Sequence, residues 1–355
     1  MFRLILCVTL FSAAFSQSIL ERFHEWASTH KIALPESDDA FLHMLENWRN
    51  NDLIIKETNA KNLTYTLGHN HFSGMNSGEF AELMRFRNNR ELFADGASPF
   101  GLRGASSSDV SSSDVQALGV QALPASVDWR TAGVVSPVQD QGQAGTCYSF
   151  STTAAVETAL AIKTGKLTKM SEQEIVDCAT IKNGGPDMGT SGGQIAPTFT
   201  WIGKTGGLCT EQAYPYVSGT TGKTGTCQNT CSKVAGSAVS SVVNVKPKSD
   251  ADLMTALTKT IVSIAIEADQ SSFQLYKSGV FTGKCGTNLD HAVALVGYGT
   301  MNGLDYYLLR NSWSMQWGNQ GYMYISRGND PATGKPYNDG SGQCGLLLEA
   351  SYPVM

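Results

Sequence analysis

The chain has 355 residues, of which 41% are hydrophobic and 16% are charged, and its formal net charge is −5. This length suggests two folding units of roughly 100–200 residues, or one globular domain with extra segments. The hydrophobic fraction excludes a wholly disordered chain. The charge shows neither a basic bias nor a positive cluster, which argues against nucleic-acid binding. Since no apolar run reaches about 18 residues, we expect no membrane span.

Residues 1–16 have the order of a secretory signal peptide. Arg3 precedes an apolar stretch of about ten residues, and the small residues Ala14 and Ser16 follow with the spacing of a signal-peptidase site. A buried N-terminal helix is the alternative interpretation, but the complete order favours export. We therefore expect the chain to enter the secretory pathway, with a lysosome, a vacuole or the extracellular space as its destination.

The remainder divides by composition into two segments joined by a linker. Residues 17 to about 90 are polar with a helical pattern, and residues from about 96 to 122 are rich in Ser and Gly, as expected of an exposed linker. Residues 123–355 are rich in Gly and Trp and contain every cysteine beyond the signal peptide. We expect two domains, 17–122 with its linker and 123–355.

The second domain changes from helical to β patterns along the chain. A helix is predicted over residues 147–163, with Thr146 as N-cap and Gly165 as the stop, and a shorter one over 171–177 with a capping box. Period-two patterns predict strands over residues 261–266, 291–297, 306–309 and 321–325. The predicted class is α+β, with a cleft between a helical lobe and a β lobe.

The cysteine count points to one unpaired thiol. Removal of the signal peptide takes away Cys7 and leaves seven cysteines, an odd number in an oxidising compartment. Cys147 stands at the predicted start of a helix, where free N–H groups and the helix dipole would stabilise a thiolate and lower its pKa. No C-x-x-C pair occurs and no histidines accompany Cys227 and Cys231, so a zinc site is a poor explanation.

Three further side chains complete a candidate acyl-transfer site. His291 begins a β run, Asn311 follows the next strand and could orient the imidazole, and Gln141 offers an amide donor for an oxyanion. Each residue alone is more often a buried, surface or turn residue. Together, and with an odd thiol to explain, they favour nucleophilic catalysis.

The motifs around these residues resemble those of papain-like cysteine proteases, cathepsin L group. The resemblance spans about residues 123–355 and rests on Gln141-Gly-Gln-Ala-Gly-Thr-Cys-Tyr-Ser-Phe150, Asp290-His-Ala292, Asn311-Ser-Trp313, Val127-Asp-Trp-Arg130, Ser171-Glu-Gln-Glu174, Tyr214-Pro-Tyr216, Trp317-Gly318 and Ser351-Tyr-Pro-Val354. It implies a two-lobe fold in which Cys147 and His291 face each other across the cleft.

The resemblance also implies roles for individual residues. Cys147, His291, Asn311 and Gln141 would be catalytic, and Trp313 would shield the histidine–asparagine contact. Substrate-binding roles are implied for Gly192, Gly193, Trp317 and a pocket for the second residue before the cut, lined by Ile195, Ala265, Leu289, Ala292 and Glu349. Such a pocket favours apolar side chains, and Glu349 at its floor would also accept arginine. The alternative for Glu349 is a solvent-facing side chain.

Departures from the family pattern predict the disulfides. Ala144 and Thr190 stand where the family has a bonded cysteine pair, so both halves of one bond are absent together. The resemblance implies the pairs Cys178–Cys227 and Cys285–Cys344, which leaves Cys209–Cys231 as a non-standard third pair and Cys147 free. Tyr148 replaces the usual Trp and keeps an aromatic ring.

The first domain resembles the inhibitory propeptide of the same family in degraded form. Asn51, Ile55 and Asn59 fit its helical motif, whereas Gly74 stands where an Asp is expected, which weakens the case for a salt-bridge pH trigger. We expect a zymogen inhibited by its own propeptide, with protein and peptide substrates, cystatin-type inhibitors as partners, no cofactor and no metal, and a monomeric state. The sequon at Asn62 predicts glycosylation in this domain.

Two other classes were weighed against a cysteine endopeptidase. A catalytically silent relative would typically lack the Cys or the His, and both are present. A transglutaminase-like acyltransferase is disfavoured by the N-terminal domain and the Asn-Ser-Trp block. Residues 185–192 contain no His-His insertion to block the cleft, which favours an endopeptidase over an exopeptidase.

Overall fold

The computed structural model describes residues 17–83 and 122–355. The expected signal peptide and nearly all of the expected linker lie outside these residues. Within them, helices come first and a sheet dominates the C-terminal half, so the predicted α+β class is confirmed. None of the helices in the described ranges is both long and apolar enough to cross a bilayer.

Residues 17–83, called the N-terminal segment, form three helices and one short strand. Their bounds are α1 Ile19–His30, α2 Asp38–Asn59, β1 Tyr65–Leu67 and α3 Ser77–Leu83. A capping box starts α1, because Ser18 and Glu21 each accept the other's backbone N–H. The aromatic side chains Phe23, Trp26 and Trp48 form a small core between α1 and α2.

Amides on α2 hold the chain that follows it. Asn51 donates to the carbonyls of Ser73 and Met75, both at 2.9 Å. Asn59 makes a reciprocal pair with Leu67, donating to its carbonyl and accepting its N–H at 2.9 Å each. The helical motif read from the sequence therefore fixes β1 and the turn before α3 against α2.

Within the described residues, the α-helices of the helical lobe are α4 Cys147–Thr164, α5 Glu172–Cys178, α6 Ile195–Lys204 and α7 Ser218–Thr221. Side chains on all faces of α4 are buried, as expected of a central helix. It ends at Gly165, whose φ of +73° needs the left-handed freedom of glycine, as predicted.

The two capping predictions are only partly right. Thr146 occupies the N-cap position of α4, but its side chain caps no N–H group. Ser171 accepts the N–H of Glu174 at 2.9 Å. The return bond of a capping box is not made, since the Glu174 carboxylate accepts the N–H of Cys209 instead, at 2.7 Å. In both places the side chain bonds a residue distant in sequence instead, since the Thr146 hydroxyl lies 2.7 Å from the Tyr216 hydroxyl.

The β lobe contains the remaining elements. These are β2 Val127–Asp128, β3 Ser241–Asn244, α8 Asp250–Leu257, β4 Val262–Ile266, α9 Ser271–Gln274, β5 Tyr276–Phe281, β6 His291–Met301, β7 Leu304–Arg310, β8 Tyr322–Ser326 and β9 Ala350–Val354. Within the described residues the strand order is β1-β5-β8-β7-β6-β4-β9-β3, and β2 pairs with β6. The predicted strands correspond to β4, β6, β7 and β8.

The N-terminal segment is part of this sheet. β1 pairs antiparallel with β5, so that Tyr65 lies opposite Gly279. Thr64 adds two bonds, since its carbonyl accepts the Val280 N–H at 2.9 Å and its hydroxyl donates to the Val280 carbonyl at 2.7 Å. This pairing fixes where α3 reaches the rest of the molecule.

Three disulfides join the pairs that the sequence led us to expect. They are Cys178–Cys227, Cys209–Cys231 and Cys285–Cys344. Of the cysteines in the described ranges, Cys147 is the unpaired one, and it is buried.

Candidate active site

Cys147 is the first residue of α4, and its sulfur points toward the β lobe. Its neighbours include the N–H groups of Tyr148, in the first turn of α4, and of Ala292, in β6. The Thr146 side chain caps none of the first-turn N–H groups, and its carbonyl accepts the Ser149 N–H at 2.9 Å. The N–H groups of Cys147 and Tyr148 therefore remain available to a negative charge. The thiol therefore lies where the helix and the sheet meet, next to the residue that follows His291.

His291, the first residue of β6, is held by Asn311. Its Nε2 lies 2.8 Å from Asn311 Oδ1. The same Oδ1 accepts the N–H of Ser312 at 2.8 Å, so this atom is an acceptor and His291 Nε2 carries the hydrogen. The neutral ring then has a bare Nδ1, which has no hydrogen-bond partner among the residues described. That nitrogen is free to accept a proton from a thiol.

Trp313 covers the histidine–asparagine pair. Its ring stacks on His291 with centroids 4.6 Å apart and 23° between the planes. Two side chains of the N-terminal segment, Phe72 and Phe80, each contact Trp313 edge to face at 5.4 Å. The N-terminal segment therefore seals the site through Trp313.

Gln141 lies beside the site in the loop that leads into α4, residues 141–146, called the oxyanion loop below. Its Oε1 accepts the hydroxyl hydrogen of Ser312 at 2.6 Å, and its Nε2 donates to the carbonyl of Ala144 at 2.9 Å. A side-chain amide has two N–H hydrogens, so one remains for a substrate oxygen. Ser312 thus links Asn311 to Gln141.

Burial keeps the thiol and the imidazole neutral in this form of the chain. It raises the pKa of Cys147 to about 12, against the N–H groups of Ala292 and Tyr148, which lower it. It lowers the pKa of His291 to about 4, although the hydrogen bond to Asn311 favours the charged ring. The sequence prediction of a lowered thiol pKa is wrong for this form, because desolvation exceeds the effect of the helix start.

The residues expected to line the specificity pocket lie together. Ile195, Leu289 and Ala292 share one apolar cluster with Cys147 and Ala265. Ala265 and Ala292 are direct neighbours across β4 and β6. The backbone of Glu349 joins them, since its carbonyl accepts the Ala265 N–H at 3.0 Å.

The two expected substrate-binding glycines lie where a side chain fits poorly. Gly192 has a φ of +111°, which strongly favours glycine. A Cβ on Gly193 would lie 2.6 Å from the Tyr148 ring and 2.5 Å from an Asp187 carboxylate oxygen. Asp187 was not anticipated from sequence; it is buried, which raises its pKa to about 8, and it accepts the Gln194 N–H at 2.9 Å.

Trp317 has no exposed surface in this form of the chain. It packs against Phe273, Tyr276 and Trp313, and its indole N–H donates to the Gln274 carbonyl at 3.1 Å. Gln274 in turn donates to the carbonyls of Phe72 and Met75 in the N-terminal segment. The Trp317 surface that was expected to contact substrate is therefore covered by aromatic side chains, and the N-terminal segment lies over these in turn.

Hydrogen bonds stand where the family's missing disulfide would be. The Thr190 carbonyl accepts the Gly145 N–H at 3.0 Å. The Thr190 N–H donates to the Thr224 hydroxyl at 2.8 Å. The glycine-containing wall of the cleft is thus attached to the oxyanion loop without a covalent bond.

A metal-like cluster also occurs in the described residues, formed by Glu174, Cys209 and Cys231. Its two sulfurs are bonded to each other, so neither is a thiolate ligand.

The geometry agrees with what comparison with known proteins shows. Residues 123–354 match the papain family cysteine proteases, and residues 23–80 match the cathepsin propeptide inhibitor domain. The chain therefore belongs to the papain family of cysteine proteases and is the zymogen of a cysteine endopeptidase with its inhibitory propeptide attached.

Relatives and solved structures cover nearly the whole chain. "Germination-specific cysteine protease 1" of Arabidopsis thaliana is 40% identical over 319 residues, which cover 90% of this chain and 78% of the relative. The digestive procathepsin L 3 of Tenebrio molitor larval midgut has a TM-score of 0.77 at 31% identity and covers 96% of this chain and all (100%) of its own. The proform of the ragweed pollen protease Amb a 11 has a TM-score of 0.76 at 30% identity, and the match covers 95% of this chain and 94% of the ragweed chain.

Proposed function

We propose that Cys147 is the nucleophile of this protease and His291 its general base and acid. The observation that carries this is the tautomer of His291, because the bond to Asn311 leaves Nδ1 without a hydrogen or a partner. The Cys147 proton passes to His291, and the sulfur attacks the peptide carbonyl carbon. His291 then gives this proton to the leaving amine. A water molecule, deprotonated by His291, hydrolyses the thioester and releases the thiol.

Gln141 and the backbone N–H of Cys147 stabilise the oxyanion in both steps. The Gln141 amide is fixed at both of its atoms, and one of its hydrogens is left for the substrate. Donors that are fixed before the reaction need no reorganisation when the charge develops. Asn311 orients the imidazole, and Trp313 keeps water away from the bond between them.

The chain matures by losing residues 1–16 as a signal peptide and 17–122 as a propeptide, leaving 123–355 as the peptidase. The segregation of all three disulfides to residues 178–344 and the burial of the site under the N-terminal segment support this division. Disulfides persist in oxidising compartments, so the protein passes through the secretory pathway to a lysosome, a vacuole or the exterior. Asn62 is exposed and is the glycosylation site of the propeptide.

The mature enzyme is a monomer that cleaves proteins and peptides and binds cystatin-type inhibitors in the emptied cleft. The second substrate residue before the cut enters the pocket formed by Ile195, Ala265, Leu289 and Ala292. Apolar side chains are preferred there, and arginine is accepted through Glu349.

The test of this function is covalent labelling by an epoxide thiol inhibitor. After acid activation, we expect one label per molecule, on Cys147, together with loss of peptide hydrolysis. Cys147→Ser should be neither labelled nor active, while the uncleaved zymogen should label slowly. Hydrolysis by Cys147→Ser, or a label on another residue, would refute the assignment.

A further inference from the structure

Tyr216 makes two hydrogen bonds to the oxyanion loop. Its phenol oxygen lies 2.8 Å from the Gln141 carbonyl and 2.7 Å from the Thr146 hydroxyl. These two residues are the ends of the loop whose last bond leads into Cys147. The Tyr216 side chain therefore connects Gln141, whose amide is one proposed oxyanion donor, to Thr146. Thr146 directly precedes Cys147, whose N–H is the other proposed donor.

The hydrogen inventory fixes the direction of both bonds. A carbonyl can only accept, so the phenol hydrogen of Tyr216 goes to Gln141. Tyr216 has no second hydrogen, so Thr146 donates its own to the phenol oxygen. The bond holds the Thr146 hydroxyl at Tyr216, where it caps no N–H of α4. The N–H groups of Cys147 and Tyr148 thus stay beside the Cys147 sulfur.

Tyr216 is itself held firmly. Its backbone N–H donates to Glu211 at 2.8 Å, and its ring meets Phe150 of α4 edge to face at 4.8 Å and 84°. Burial also raises the pKa of Tyr216, so the phenol keeps its hydrogen at any physiological pH.

The loop is docked on the chain that follows Tyr216. The Gln143 N–H donates to the Gly219 carbonyl at 3.1 Å. A Cβ on Gly142, whose φ is +59°, would lie 2.5 Å from the Gly219 oxygen. This contact is close enough to require glycine, so the residues from Tyr216 to Gly219 form a platform for the oxyanion loop.

We infer that Tyr216 is a positioning residue for the oxyanion donors, acting through Gln141 and Thr146. The inference rests on the proposed roles of Cys147 and Gln141. It assigns to the second tyrosine of the Tyr214-Pro-Tyr216 motif a part in the rate of the reaction, beyond its packing against Phe150.

The first experiment replaces the phenol by a phenyl ring in the mature enzyme. Loss of an oxyanion donor costs about 10²–10³ in kcat, and a misplaced donor should cost less, so Tyr216→Phe should lower kcat about 10-fold with KM nearly unchanged. Tyr214→Phe is the matched control, because its hydroxyl bonds to Asp177 at 2.9 Å, away from the loop. That variant should keep the kcat of the unaltered enzyme.

Two further readouts separate positioning from mere stability. A peptide aldehyde forms a tetrahedral adduct whose oxygen occupies the oxyanion site, so its affinity should fall by the same factor as kcat/KM. Thr146→Val should lower kcat as well, and the double variant should be little worse than Tyr216→Phe, because both changes break one chain of bonds.

Equal kcat in Tyr216→Phe and Tyr214→Phe, or additive losses in the double variant, would overturn the inference. The unaltered enzyme is labelled by the epoxide inhibitor in parallel. Normal labelling with no effect of Tyr216→Phe counts against Tyr216 alone, whereas absence of a label on Cys147 counts against the proposed function.

Discussion

Asn311 shows at the scale of single residues how one amide sets the chemistry of an imidazole. Its oxygen accepts both the Ser312 N–H and the His291 Nε2 hydrogen, which fixes the ring and its tautomer together. The sequence placed Asn311 one strand after His291, and the resemblance implied their contact. The second bond, from Ser312, lies inside the same motif but had no assigned role.

Replacing Asn311 should therefore slow catalysis without abolishing it. Asn311→Ala frees the ring to rotate and to change tautomer, and we expect kcat/KM of the mature enzyme to fall about 10²-fold, the lower end of what acid–base catalysis contributes. Hydrolysis of a fluorogenic peptide measures it. Asn229→Ala, at an exposed position, is the control; equal rates in the two variants would contradict the role of Asn311.

Glu349 provides a test of specificity at the same scale. Its carboxylate would bind a guanidinium by a charge-assisted bond, so Glu349→Gln should reduce cleavage of substrates with arginine at the second position before the cut. We expect about a tenfold loss for arginine and little change for phenylalanine, measured as kcat/KM on a matched substrate pair. An equal loss for both substrates would remove Glu349 from the pocket.

The protonation states at the site could not be predicted from the sequence. The helix start at Cys147 is a local feature and was correctly recognised. The burial that raises the thiol pKa to about 12 arises where the two lobes meet, with the N–H groups of Tyr148 in α4 and Ala292 in β6 beside the sulfur. Desolvation by residues that are distant in sequence leaves no recognisable motif in the sequence around Cys147.

At the scale of elements, α3 closes the site. Phe80 is fully buried and contacts both Phe72 and Trp313. The acidic start of α3 is fastened to α2, because Glu79 accepts from Asn47 at 2.9 Å and pairs with His43 at 2.6 Å. α3 therefore connects the propeptide core to Trp313, which covers the His291–Asn311 pair.

Removing the Phe80 ring should weaken inhibition. Large-to-small changes of a buried Phe cost about 3–5 kcal/mol, so the Phe80→Ala zymogen should show more activity before processing and mature faster. The time course of peptide hydrolysis after purification near neutral pH measures both. Leu42→Ala, on an exposed face of α2, is the control; a Phe80→Ala zymogen as silent as this control would contradict the closure role of α3.

Elements with local signals were the ones that the sequence predicted. The alternating patterns gave β4, β6, β7 and β8, and the glycine stop gave the end of α4. β1 is three residues long, and its side-chain bond between Thr66 and Ser278 spans 212 positions. A strand that exists because of so distant a partner has no pattern of its own.

At the scale of the whole molecule, the histidines divide by domain. Of the six in the chain, His291 lies in the peptidase and the other five lie between His24 and His71. Burial lowers the pKa of His71 to about 4, with His30 acting in the same direction, and it also lowers the pKa of His69 despite Asp52. Acid therefore acts on buried histidines of the N-terminal segment as well as on His291, whose pKa burial also lowers to about 4.

The sign of this effect favours activation by acid. The unfolded segment binds protons below pH 6.5, the ordinary pKa, while His71 in the folded segment binds one only near pH 4. The free energy of unfolding should fall across this window by about 3 kcal/mol. His71→Gln should shift the pH of half-maximal self-processing downward, and exposed His24→Gln should leave it in place; identical profiles for the two variants would contradict the effect.

The central claim is that the Cys147–His291 pair is neutral under the propeptide and becomes an ion pair once the propeptide leaves. The rate of Cys147 alkylation by iodoacetamide, followed against pH, tests it most directly. In the mature enzyme the rate should stay high down to about pH 5, as for thiolates next to an imidazolium. In the zymogen it should be low throughout, and His291→Ala should restore an ordinary thiol profile with a pKa of about 8.5. A mature enzyme that follows that same ordinary profile would contradict the account.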